Sequence, residues 1–70
     1  MICYEKLWKV IARKKLQPSD LCKLAGISYS TLRALQKNDH VRLDVLERIC
    51  RSLNVDIGDI CSFRINLDEL

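Results

Sequence analysis

Apolar residues at Tyr4, Leu7, Trp8, Ile11 and Ala12 recur at the spacing of one helical face, with Lys6, Lys9, Arg13 and Lys14 elsewhere, and predict a first helix over about 4–14. A second helix takes its buried stripe from Leu21, Cys22, Leu24 and Ala25. Pro18 suits its first position, where a missing N–H costs nothing, and Asp20 complements the positive helix start. Gly26 ends the pattern, since glycine readily takes the left-handed conformation that closes a last turn. Ile27 is the expected apolar plug of a short turn. Ser28 is the expected N-cap of a third helix, Tyr29 to about Lys37, with Leu32 and Leu35 inward and Tyr29, Ser30, Arg33, Gln36 and Lys37 outward.

Asn38-Asp39-His40 breaks the periodicity and makes a loop, in which His40 is solvated. A fourth helix over about 43–53 carries Leu43, Leu46, Ile49, Cys50 and Leu53 at helical spacing. Its acidic Asp44 and Glu47 come early and its basic Arg48 and Arg51 late, as the helix dipole favours. Asp56 is positioned to cap a short fifth helix, Ile57 to about Cys61, with Asp59 completing a capping box and Ile57 and Ile60 pointing to the core. From Ser62 to Leu67 the pattern alternates strictly, as in a short strand or arm. The expected fold class is therefore all-α: five short helices in one domain spanning 1–70, with its core at about 4–61 and an extended C-terminal arm.

The stretch from Pro18 to Lys37 is helix, small residue, glycine turn, capped helix. Two helices joined by so tight a turn cross steeply and need a small side chain where they touch, which is the reading for Cys22 in preference to a reactive thiol. Free N–H groups at the two helix starts are able to bind phosphate, and long or hydroxylated side chains early in the third helix reach base edges. Leu21-Cys22, Ala25-Gly26-Ile27-Ser28 and Thr31-Leu32 make up the first half of a longer pattern. Leu43-Asp44-Val45-Leu46-Glu47-Arg48-Ile49-Cys50 and Leu53-Asn54-Val55-Asp56-Ile57-Gly58-Asp59-Ile60 complete it. With these pieces together, the chain resembles the Cro and phage-repressor (XRE-like) helix-turn-helix family, in its short single-domain branch, over about residues 5–61.

The resemblance implies that the third helix lies in the major groove as a recognition helix, while neighbouring helix ends hold the backbone. Carried over position by position, Tyr29, Ser30 and Arg33 are the base-contacting candidates, with Arg33 the one suited to read guanine bidentately. Lys37, Ser28, Gln17, Lys23, Arg42, Lys14 and Lys15 are the phosphate-contacting candidates. The chain departs from the family pattern in three places. Pro18 stands where a base-contacting glutamine is frequent, with Gln17 one position earlier. Lys15 and Asn38-Asp39 stand where glycine usually closes the first and third helices. Arg42 replaces the usual serine or threonine cap of the fourth.

Charge sharpens this picture. The net charge of +3 divides unevenly: residues 1–42 hold nine Lys and Arg against three Asp and Glu, and residues 43–70 hold three against six. A basic half beside an acidic half is what one face meeting a polyanion requires, although a merely solvated surface accounts for it equally. No apolar run is long enough to span a membrane, and Met1-Ile2-Cys3-Tyr4-Glu5 lacks a signal-peptide pattern, so a cytoplasmic protein is expected. The first helix is amphipathic enough to lie on an anionic membrane, but its apolar face is needed by so small a core. Trp8 belongs with that core, wholly or in part.

Cys3, Cys22, Cys50 and Cys61 stand singly, which argues against zinc and disulfides. There is no phosphate-cradling glycine loop and no triad of nucleophile, base and orienting group, so neither an enzyme, a cofactor nor a small-molecule ligand is expected. The expected partners are double-stranded DNA and a second copy of the chain, since one short module buries little surface and two-fold pairs read palindromic half-sites. The expected dimer contact is the tail. A second class of function stays open: an antitoxin-like or accessory interaction module whose alternating Phe63, Ile65 and Leu67 add a strand to another chain.

Overall fold

The computed structural model describes residues 1–65. Its order is β1 (Ile2–Cys3), α1 (Glu5–Arg13), α2 (Asp20–Ala25), α3 (Tyr29–Gln36), α4 (Leu43–Leu53), one 3-10 turn (Ile57–Asp59) and β2 (Ser62–Phe63). The helices enclose one core in which Leu7, Leu21, Leu35, Ile49 and Ile60 are fully buried, with Val10, Ile11, Ile27, Leu32, Leu46 and Leu53 around them. Trp8 and Cys22 pack half-buried at its margin. These side chains come from every helix, so each buries its stripe only when the others are present.

Four α-helices stand where five were expected. The fifth closes as the single 3-10 turn Ile57–Asp59, although the capping box between Asp56 and Asp59 is formed, with the Asp59 carboxylate accepting from the Asp56 N–H at 2.9 Å; the Asp56 carboxylate also accepts from the Ile57 N–H at 2.7 Å. Gly58 is a poor residue for continuing a helix, and the backbone from Ser62 is already extended for pairing. The expected extended arm finds its partner within the chain. β2 pairs antiparallel with β1, Ile2 opposite Phe63 and Cys3 opposite Ser62, which leaves this strand no free partner role on that side. Leu67 lies outside the described residues.

The α2 helix starts at Asp20, two residues after Pro18. Pro18 and Ser19 are wound by tighter turns, Asp20 N–H to Gln17 carbonyl at 2.9 Å and Leu21 N–H to Pro18 carbonyl at 3.1 Å. The Asp20 carboxylate reaches back to the Gln17 N–H at 2.7 Å and caps this lead-in. Three residues expected inward are exposed: Leu24 at 49%, Leu43 at 69% and Ile57 at 39%. The six-residue α2 buries only Leu21 and Ala25, four apart, and has no further face to cover Leu24. Leu43 is three residues before the buried Leu46, on the same stripe, but its neighbours Ile57 and Phe63 are themselves exposed and leave it uncovered. On α1, Ala12 points out and Val10 occupies the buried place instead.

Tyr4 ties the N-terminal end of α1 to the end of α3. It is 1% exposed, its N–H donates to Asn38 Oδ1 at 3.0 Å, and its hydroxyl donates to the Asp39 carbonyl at 2.8 Å. Burial raises the phenol above its ordinary value of 10.0. Burial likewise pushes the Cys50 and Cys61 thiols up, which suits side chains that fill space and not reactive ones.

Replacing Tyr4 by Phe is expected to cost about 1 kcal/mol, because a half-buried carbonyl loses its donor. In a thermal melt this lowers the midpoint by roughly 4–8 °C. The same phenol gives a pH test. Its native value lies above its unfolded one, so the contribution is whole below about pH 10 and is lost as pH rises through the native value. Alkaline denaturation midpoints of wild type and Tyr4→Phe should therefore converge, and a difference that stays constant through this range would contradict the assignment.

Candidate nucleic-acid interface

Gly26 closes α2 in the left-handed region at φ +66°, and the chain then extends at Ser28, φ −76° and ψ 162°, before α3 begins. Ile27 lies between them, 6% exposed, plugged into the core. Ser28 Oγ accepts from the Thr31 N–H at 3.2 Å and lies within hydrogen-bond distance of the Ser30 and Thr31 hydroxyls, at 2.9 and 3.0 Å. The start of α3 is thereby fixed, while the N–H groups of Tyr29 and Ser30 make no hydrogen bond among the described residues. From α4, Arg48 Nη1 donates to the Gly26 carbonyl at 3.4 Å and braces the turn from behind.

With Leu32 and Leu35 buried, α3 presents Tyr29, Ser30, Arg33, Gln36 and Lys37 on its outer side. Tyr29 is 65% exposed, more than a core side chain of its size would allow. The ion pairs among the described residues are Arg42–Asp44, Arg51–Glu47 and Arg64–Glu5, all outside the segment from Pro18 to Lys37. Arg33, Lys37 and Lys23 take part in none of them, and against these three cations the segment holds one carboxylate, Asp20, so it keeps a net positive charge.

The structure gathers some of the expected site residues and separates others. Ser28, Tyr29, Ser30, Arg33 and Lys37 form one continuous surface on α3. Gln17 precedes Pro18, which shares a groove with Trp8 and Gln36 beside the end of α3, so Gln17 is near this surface; its N–H, however, is already taken by Asp20. Lys23 is exposed on α2. Lys14 lies elsewhere, in a cleft with Arg13, Val10 and Val55. Arg42 is held by Asp44 at 3.1 Å, with both side chains largely exposed. Lys15 occupies a left-handed position, φ 58°, at the end of α1, and Asn38 does so at φ 60° after α3.

Against this geometry, the model of the Cro/C1-type HTH DNA-binding domain matches residues 6–64. The chain belongs to that family. It is 33% identical over 61 residues to the uncharacterized HTH-type transcriptional regulator YozG of Bacillus subtilis (strain 168), covering 84% of this chain and 73% of that protein. It also superposes on the crystal structure of the transcriptional regulator VanUg with a TM-score of 0.84 at 41% identity, covering 87% of this chain and 81% of that one. As a Cro/C1-type domain the chain is a DNA-binding regulator, and α2, the turn at 26–28 and α3 are its helix-turn-helix.

Two residues that hold this Cro/C1-type segment escaped sequence reading. Tyr4 counted there only as an apolar position, and nothing local signals that its hydroxyl ends on the Asp39 carbonyl, 35 residues away. Arg48 read as a late charge on α4, although its guanidinium reaches the turn 22 residues earlier.

Substituting Gly26 by Ala isolates the turn. A Cβ there would meet only the Arg48 guanidinium at 4.0 Å, an ordinary contact, so the cost is the left-handed backbone itself. The expected loss is about 1–2 kcal/mol of stability in denaturant unfolding, with the slope unchanged. A variant as stable as wild type would show that the turn does not require this conformation.

Proposed function

We propose that the protein is a sequence-specific regulator, acting as a repressor, that reads the major groove with the outer face of α3. The observation that carries this reading is the exposed row Tyr29, Ser30, Arg33 and Lys37, with its cations in no ion pair among the described residues. Arg33 is placed mid-helix, where a guanidinium projecting from a helix in the groove pairs bidentately with guanine. Tyr29 and Ser30 contribute base or sugar contacts beside it. The free N–H groups at the start of α3 and the Lys37 ammonium act on phosphates, joined by Ser28, Gln17 and Lys23.

Arg42 in this scheme exchanges its exposed bond to Asp44 for a phosphate, at small cost because such a surface pair contributes about 0–1 kcal/mol. Lys14 and Lys15 add weaker, long-range attraction. Two copies on a two-fold axis read the two halves of a palindrome, and the protein works in the cytoplasm, where the DNA is.

Anisotropy titrations on a duplex selected from a random pool test these roles. Arg33→Ala should cost about 1–3 kcal/mol on that duplex and much less on mixed sequence. Lys37→Ala should weaken both alike and reduce the salt slope by about one. Equal losses on both duplexes for Arg33→Ala, or an unaltered salt slope for Lys37→Ala, would remove that residue from its assigned role.

A further inference from the structure

One side of α1 belongs neither to the core nor to the reading face. Residues two apart on a helix point about 160° away from each other, so Lys6 and Trp8 face nearly opposite ways. Trp8 faces the groove it shares with Pro18 and Gln36 at the end of α3, whereas Lys6 faces the 3-10 turn. On that far side runs an open cleft of about 630 Å³, lined by Lys6, Lys9, Ala12, Arg13, Gly58 and Asp59. The reading of DNA by α3 uses none of its three cations.

We propose that this cleft binds an acidic segment of a different protein, one in which carboxylates alternate with apolar side chains. Charge points to this occupant. Lys9 and Arg13 are exposed and take part in no ion pair among the described residues, and Lys6 holds only the Gly58 carbonyl, at 3.1 Å. Lys14 adds a fourth cation, in the adjoining cleft that Arg13 shares with Val10 and Val55. Against these four stand Asp59 and Asp56, both turned to backbone N–H groups, and Glu5, which Arg64 neutralises. The cleft therefore keeps a net positive charge.

Its floor favours a protein over a phosphodiester or a lipid surface. Ala12, Gly58 and the aliphatic stems of the cations make that floor largely apolar, and a Cβ placed on Gly58 would meet open space. A nucleic-acid backbone brings charge but nothing apolar to cover the floor. A membrane requires apolar side chains that insert, and those of α1, Leu7, Val10 and Ile11, are buried in the core. Spacing agrees. Lys6, Lys9 and Arg13 follow one another at about 4.5 and 6 Å along the helix axis. Alternate residues of an extended segment recur about every 7 Å on one side, within reach of such long side chains. Because the end of α3 stands on the other side of α1, the segment can be held while the duplex is bound.

Anisotropy of a labelled synthetic peptide of glutamates alternating with leucines, titrated with the full chain, tests the site. Wild type should bind it with an affinity that falls as salt rises, and the same peptide with glutamine for glutamate should not bind. Lys9→Ala/Arg13→Ala should weaken binding at least about tenfold, since two of the facing charges are lost. Alanine is a strong helix former and both positions are exposed, so the melting midpoint and the duplex affinity should hold. Arg33→Ala/Lys37→Ala removes the same charge from α3 and should bind the peptide as wild type does, which separates a site from net charge. Absence of binding by wild type at millimolar protein overturns the proposal. So does an α1 double variant that binds as tightly as wild type, or an α3 double variant that loses as much as the α1 one. A larger loss from Lys9→Ala/Arg13→Ala on mixed-sequence duplex, or on vesicles containing phosphatidylserine, than on the peptide overturns it too and hands the face to that polyanion.

Discussion

The outward face of α3 exists because the helix is held everywhere else. Gly26 in the left-handed region turns the chain into it, Ser28 caps its start, and Leu32 and Leu35 bury its back. Asn38, also left-handed, closes its end, where the Asp39 N–H returns to the Ala34 carbonyl at 2.9 Å. A helix of eight residues is marginal alone in water. These restraints supply the order that its length does not, and they leave Tyr29, Ser30, Arg33 and Lys37 with no structural duty among the described residues beyond the Ser28–Ser30 hydroxyl contact.

Electrostatics divides the surface by the same logic. Away from α2 and α3, three arginines are matched by carboxylates, as in Arg51 with Glu47 at 2.7 Å one helical turn apart. Such exposed pairs contribute little to stability, so their effect is mainly to neutralise. Around α2 and α3 the matching stops. The ion pairs thus lie at α4 and at the two ends of the described chain, and leave the cations of α2 and α3 outside them.

What could be read in the sequence was what short-range chemistry decides. Gly26, Ser28 and the Asp56/Asp59 box each act on backbone groups within three residues, and each is found at its expected post. Lys15 and Asn38, standing where a closing glycine was expected, likewise adopt the left-handed geometry, at a steric cost that asparagine bears more easily than lysine. Hidden were the features set by distant neighbours. Two residues, Ile2 and Cys3, are too few to show alternation, so β1 appears only once Ser62 and Phe63 meet it. The periodicity of α4 includes Leu43 without revealing that no element covers its first turn. At the site, the direction of each α3 side chain was legible from the buried leucines, whereas the distribution of lysines between faces depended on where α1 packs.

One side chain joins two helices. Asn38 ends α3 through its backbone, and its Oδ1 accepts the N–H at the head of α1. Fraying of the last turn of α3 thus removes a bond from the head of α1 as well, so the two helix ends are coupled. A probe so tethered meets its target already ordered, and little conformational entropy remains to be lost on contact.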